Sequence, residues 1–300
     1  VRTTIASSPT PSRRRSRSAR DENALILERR LLVDGDERRF LLARPEGANA
    51  SLPLVIEFHG SGHFAEGQMA ASGFVSVGAR EHFVVAAPEA ALTVRVRPEW
   101  PEGRAWNVPG VPLTSGELPE GPDDVAFAGA LIASLVSDGI ADEQRVYLTG
   151  FSGGARLCSH LAGIMPERIA AIGTVAGLRL PPRSSTPPPP IIAFHSRADE
   201  VNPYLGGAGP RWDLGVEATE AAYAERYGWN GPSIDVVDNV VRHVYRDRAE
   251  RDRLTTYTLD GRSHGWYGSR DPQHAAQYGT GDDTIDATAM IWDFFRNKRR

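Results

Sequence analysis

Short apolar runs rich in β-branched residues recur along the chain, separated by turns and by segments of helical periodicity. The first two runs, 25–33 and 39–42, flank Asp34-Gly35-Asp36, a sequence that suits a hairpin because glycine accepts positive φ. Residues 53–58, 83–87, 145–149, 169–175 and 191–194 show the largely continuous apolar character of strands buried on both faces. Residues 254–259 read as extended. Between these runs, 68–81, 123–136, 154–164, 216–227 and 282–296 predict helices. In the second helix Val125, Ala128, Leu131, Ile132 and Leu135 form one stripe behind Asp123 and Asp124, which can cap it. Residues 91–121 are rich in proline and glycine with little periodicity, and 181–190 hold six prolines. Both predict loops, and a loop as long as the first is functional or disordered in a compact domain. Strands alternate with helices and no repeat has a fixed period. The chain is therefore expected to be α/β, with one mostly parallel sheet covered on both faces.

Composition narrows the class. The 300 residues are 41% hydrophobic and 24% charged, enough apolar material for a sizeable core and too much for wholesale disorder. No apolar run approaches the ~20 residues of a membrane span. The single cysteine, Cys158, excludes a disulfide-stapled scaffold and a multi-thiolate metal site. The net charge of −4 hides a split. Residues 1–20 carry six arginines and no acid, leaving 28 basic against 38 acidic side chains in the rest, a balance of −10. An acidic body argues against nucleic acid as a partner. Residues 1–22 are expected to be a disordered Arg/Ser/Pro-rich tail and 23–300 a single catalytic domain. The tail's arginines run into Asp21, Glu22 and Asn23 with no apolar stretch of the kind a secretory signal needs, so a cytoplasmic location is expected.

The sharpest chemical feature is Gly150-Phe151-Ser152-Gly153-Gly154, between a predicted strand and a predicted helix. A tight strand-to-helix turn of this kind exposes a serine Oγ above a helix N-terminus, with glycines leaving room for the strained backbone. A nucleophilic serine needs a base, and the base needs an orienting carboxylate. Asp199 follows the strand 191–194 and is the expected acid, with Glu200 as the fallback. His264, in a Gly/Ser loop ahead of the last helix, is the expected base. The other seven histidines lack that combination of chain order and loop context: His243 is expected on a strand face, and His274 on a surface helix or turn. The amide of Gly153 should be one oxyanion donor, and that of Ser61 in His59-Gly60-Ser61-Gly62-His63 the other, with Gly62 as the alternative. His59 and His63 are four apart, but the glycines between them argue against the helix that a metal pair would use, so no metal site is expected. Trp106, Tyr204 and Trp266 are candidates for an aromatic wall against the substrate.

These segments, with PLVIEFHGSG, FVVAAPEA, Trp106-Asn107, DDVAF, RVYLTGFSGGA, HSRADEVNPY and GRSHGW in order, resemble the polyhydroxybutyrate depolymerase-like and feruloyl esterase-like α/β-hydrolases. The resemblance covers about residues 25–296. The pairings of Asp199 with Pro203-Tyr204 and of His264 with Trp266 single out this group. It implies an α/β-hydrolase fold with a sheet of about eight strands and a Ser152–Asp199–His264 triad. The expected activity is cofactor-free hydrolysis of small or oligomeric hydroxyalkanoate or hydroxycinnamoyl esters, with neither nucleic acid nor membrane as partner. Many relatives are exported and disulfide-bonded, whereas this chain has one cysteine, and Ser196 stands where the family often has glycine. A thioesterase or serine peptidase on the same fold is the alternative activity, and a non-catalytic binding protein is a third reading.

Overall fold

The Asp34-Gly35 turn takes φ of 51° and 91° and folds β1 (Ala24–Val33) onto β2 (Asp36–Pro45) as an antiparallel hairpin. This computed structural model describes residues 24–113, 115–261, 263–279 and 285–300. The expected tail 1–22 and residues 282–284 of the expected last helix lie outside them. β2 pairs antiparallel with β4 (Val84–Pro88). The sheet continues through β3 (Leu52–Phe58), β7 (Ala141–Phe151), β8 (Ala171–Val175), β9 (Ile191–Ser196) and β12 (Asp252–Leu259), each parallel to its neighbour. Antiparallel β11 (Val240–Arg246) and β10 (Asn230–Val237) complete ten strands in the order β1-β2-β4-β3-β7-β8-β9-β12-β11-β10.

That is more strands than the eight expected. β10 is exposed along its whole length, so no buried run marks it in the sequence. Residues 91–121 are also less irregular than expected: β5 (Leu92–Val94) and β6 (Gly103–Ala105) form a small antiparallel sheet inside them. An isolated bridge from Arg104 to His63 ties that sheet to the loop after β3.

Alternation along the strands builds a core on each face. Leu54, Ile56 and Phe58 of β3 join Leu131, Leu135, Leu157 and Leu161 from α3 (Asp124–Ser137) and α4 (Gly153–Ile164), with Tyr223 of α5 (Val216–Tyr227). On the other face Val55 joins Phe74, Tyr147, Ile291 and Phe295, from β7 and from the helices α2 (Phe74–Glu81) and α7 (Ala287–Phe295). Asp123 caps α3 by accepting from the amides of Val125 and Ala126. The helix expected over 68–81 is two, α1 (Ala65–Ser72) and α2, because Gly73 breaks the chain at φ 68°. α6 (Pro272–Tyr278) is capped by Asp271. Among the described residues no helix is long and apolar enough to cross a membrane.

One core group carries a pH signature. Glu57 of β3 is fully buried; its Oε2 accepts from Ser72 Oγ at 2.6 Å and its Oε1 has no partner among the described residues. Burial raises its carboxyl from 4.5 to about 7, against the smaller opposing pull of the Ser72 hydrogen bond and of the nearby Gln68 amide. The folded state therefore keeps a proton that the unfolded chain releases from pH 4.5 upward. Stability should fall as pH rises from 4.5 to about 7, by about 3 kcal/mol in all, and change no further above that. In Glu57→Gln this contribution to the pH slope should vanish, as read from urea midpoints at pH 5 and pH 8. An unchanged slope would show that Glu57 ionises freely in the fold.

Candidate active site

β7 ends at Phe151 and α4 begins at Gly153, so Ser152 alone turns the chain. It does so at φ 51° and ψ −110°, a conformation costing a non-glycine residue of order 1–3 kcal/mol. Close backbone contact makes the turn possible. A Cβ on Gly150 would lie 2.5 Å from the carbonyl carbon of Gly154, and one on Gly154 would lie 2.1 Å from the carbonyl oxygen of Phe58. The Ser152 N–H donates to Val175 O at 2.9 Å, and its carbonyl accepts from the Arg156 amide at 3.1 Å. Ser152 thus stands at the positive end of a twelve-residue helix.

The loops after β9 and β12 bring Asp199 and His264 together. Asp199 Oδ2 accepts from His264 Nδ1 at 2.7 Å, and both side chains are buried. The other oxygen, Oδ1, accepts from the amides of Val201 at 2.9 Å and Asn202 at 2.7 Å. His195 Nε2 lies 3.4 Å from Oδ2 and donates to Asn202 O at 2.8 Å. Burial pulls the Asp199 carboxyl upward, but His264, His195 and the Asn202 amide outweigh it and hold it below the ordinary aspartate value. Glu200, the fallback acid, is exposed and makes no such contact. In a neutral imidazole, donation from Nδ1 to Asp199 leaves the lone pair on Nε2.

Ser61 and Gly153 also meet. A Cβ on Gly153 would lie 3.1 Å from Ser61 N and 2.5 Å from Ser61 Oγ. The Gly62 N–H is committed to Arg104 O at 2.8 Å, which separates it from Ser61 as a candidate donor. Gly153, as the first residue of α4, has an amide with no partner inside the helix. His59 uses both ring nitrogens within the protein: Nδ1 donates to Gly60 O and Nε2 accepts from the Ala90 amide.

The three expected wall aromatics are buried, with their polar atoms engaged. Trp106 Nε1 donates to His59 O at 2.7 Å, and its ring packs against Phe58 and His59. The Tyr204 hydroxyl donates to Glu217 at 3.0 Å and meets Thr258 Oγ1. Trp266 Nε1 donates to Thr288 Oγ1, and its amide donates to His274 Nε2 at 2.7 Å. The rings that meet His264 are instead Phe151, centroid to centroid at 4.8 Å, and Tyr278 at 5.6 Å. His63 stacks on Tyr278 and bonds its hydroxyl at 2.6 Å, and Trp100 from the long loop meets the same ring edge-on.

His274 is buried beside them and not on the surface, because it accepts from the Trp266 amide and packs on Phe151. Burial, then the neighbouring His264, lowers His63 to about 4. Burial, then His63 and His264, lowers His274 to about 3. Both are neutral at neutral pH, so Asp199 is the charge in direct contact with His264. His274 and Tyr278 carried no signal of this role in the sequence, and Phe151 and His63 only that of the elbow and of the loop after β3, since contacts between distant segments create their roles.

No family model matches the chain. A relative named "Putative esterase NocK", from Nocardia uniformis subsp. tsuyamanensis, is 25% identical over 298 residues, covering 91% of this chain and 83% of that protein. "Poly(3-hydroxyalkanoate) depolymerase C" from Paucimonas lemoignei is 23% identical over 247 residues, covering 74% of this chain. The match spans 56% of the depolymerase, so this chain corresponds to about half of it. Among solved structures, an acetyl xylan esterase from Aspergillus awamori superposes with a TM-score of 0.58 at 15% identity, over 79% of this chain and 94% of that one. That last likeness is one of fold.

Proposed function

We propose that this chain, which is an esterase/depolymerase-like α/β-hydrolase, hydrolyses carboxylic esters through Ser152, His264 and Asp199. The observation that carries the reading is the buried 2.7 Å bond from His264 Nδ1 to Asp199, on the same sheet edge as the strained Ser152. His264 Nε2 takes the Ser152 proton as Oγ attacks the ester carbonyl. Asp199 holds the tautomer and stabilises the imidazolium. The amides of Gly153 and Ser61 stabilise the oxyanion, a contribution of roughly 3–4 kcal/mol for one such donor. The tetrahedral adduct collapses, the C–O bond breaks, and the alcohol leaves with the proton from Nε2. Water then attacks the acyl-serine, giving its proton to Nε2. Collapse releases the carboxylic acid, and the proton returns to Ser152 Oγ. No cofactor enters these steps. The proposed substrates are small or oligomeric esters of the hydroxyalkanoate or hydroxycinnamoyl type.

Matched ester, thioester and amide substrates, run in parallel, test the bond class; the ester should have the highest kcat/KM. A fluorophosphonate should label Ser152 stoichiometrically. Folded protein that takes no label would overturn the serine mechanism and favour a binding role, while a faster thioester or amide would reassign the bond.

A further inference from the structure

Three arginines meet beside Ser152, and the proposed ester chemistry leaves them unused. Arg156 lies one helical turn beyond the serine on α4 and is buried, 3% exposed. Its Nη2 donates to Asn202 Oδ1, its guanidinium lies 5.7 Å from the Trp212 ring, and its Nε is buried with no partner among the described residues. Arg211 Nη2 donates to Ser61 Oγ at 3.2 Å, which places a second guanidinium against the residue expected to supply an oxyanion amide. Arg179 Nη1 donates to Arg211 O, and its Nη2 lies 3.3 Å from Asp213, whose side chain is 60% exposed.

Among the described residues neither Arg156 nor Arg211 is in an ion pair. Asp199 is close enough for Arg156 to feel it, but His264 and backbone amides already engage its oxygens. A cleft of about 200 Å³ opens on Arg156 and Arg179; Arg211 is outside its lining and links it to the serine side, its carbonyl accepting from Arg179 and its guanidinium donating to Ser61 Oγ. The walls of the cleft include Arg156, Arg179 and His160, with Val108 and Val111 from the long loop and Pro181.

Unpaired buried guanidinium is costly in a single-chain ledger. Burial lowers Arg156, Arg179 and Arg211 alike, and the like charges of Arg211 and Arg179 add to the effect on Arg156. A planar anion can relieve that cost by accepting from the guanidinium forks.

We infer that Arg156, Arg179 and Arg211 form a carboxylate-binding subsite, and that the preferred substrate is an ester carrying a free carboxylate. This rests on the ester hydrolase reading and names the substrate class for the same site. Such a molecule would place its ester carbonyl at Ser152 and its carboxylate in the arginine cleft. A hydroxyacid oligomer has this form, with a terminal carboxylate beyond the bond to be cleaved.

Two matched pairs of esters test it. Mono-p-nitrophenyl glutarate against p-nitrophenyl valerate places the carboxylate on the acyl side. 4-Butyryloxybutanoate against pentyl butyrate, followed in a pH-stat, places it on the alcohol side. In at least one pair kcat/KM should favour the anion tenfold or more. That preference should fall by about tenfold in Arg211→Gln or Arg179→Gln, and should shrink as salt is raised. Calorimetry of monomethyl glutarate with the Ser152→Ala protein reads binding without turnover, and its affinity should drop on adding Arg211→Gln. A ratio at or below one in both pairs, or a preference untouched by both arginine variants, would overturn the subsite. Anion binding to Ser152→Ala, sensitive to Arg211 but with no turnover of any ester by the parent, would sustain the subsite and sink the hydrolase. Neither turnover nor binding would sink both.

Discussion

Replacing Ser152 by alanine is expected to lower kcat for a short p-nitrophenyl ester by roughly 10⁶-fold, the scale seen when a serine nucleophile is removed alone. A residue of catalysis should survive, because the Gly153 and Ser61 amides still face the carbonyl oxygen. The fold should tolerate the change. Alanine meets the same backbone penalty as serine at φ 51°, and the bonds that hold residue 152, to Val175 O and from the Arg156 amide, are made by the main chain. The melting temperature should therefore stay within a few degrees. Activity within tenfold of the parent would remove Ser152 from the chemistry.

The second large effect is expected at Asp199. Asp199→Asn keeps an oxygen to accept from the amides of Val201 and Asn202, so the loop should hold its shape. Its amide nitrogen, placed where Oδ2 now accepts from His264 Nδ1, would donate instead. His264 would then carry its proton on Nε2, where a basic lone pair is needed, and kcat should fall about 10⁴-fold. The neighbouring Glu200 is exposed and offers no rescue. Activity close to that of the parent would show that Asp199 does not orient the base.

The same carboxylate links the site to stability. Its folded value is depressed, so its contribution is complete above the unfolded aspartate value near 3.8 and is lost as pH falls through the folded value. Asp199 and Glu57 therefore act at opposite ends of the acid range: one weakens the fold below pH 4 and the other from 4.5 to 7.

What the sequence made legible follows from what each feature needs. The central parallel strands are buried on both faces, and their composition says so without reference to the rest of the chain. The hairpin was readable because Asp34-Gly35 is a local device, and α5 because its period is local too. β10 was not, since an exposed edge strand has no apolar run to betray it. The split at Gly73 was hidden because one glycine within a helical pattern is often tolerated.

The candidate site divides in the same way. Chain order and turn chemistry pointed to Ser152, Asp199 and His264 as candidates. The choice between Ser61 and Gly62 as donor depends on which amide Arg104 O has already taken, a contact between segments some forty residues apart. The rings that meet His264 and the three arginines come from four separate stretches of chain. Trp106, Tyr204 and Trp266 show the converse: an aromatic near a motif is visible in the sequence, but the partner that occupies its polar atom is not.

The contact between Gly154 and the Phe58 carbonyl has a broader consequence. It presses the first turn of α4 against the end of β3, a strand in the middle of the sheet and among the last regions expected to open. The serine is therefore expected to take its position from the middle of the sheet and to resist local opening. The stretch of the long loop around Trp100 is largely exposed and lies outside that contact. Substitutions there are expected to change which molecules enter while the frame proposed to break the bond keeps its shape, so selectivity and chemistry can diverge independently within one fold.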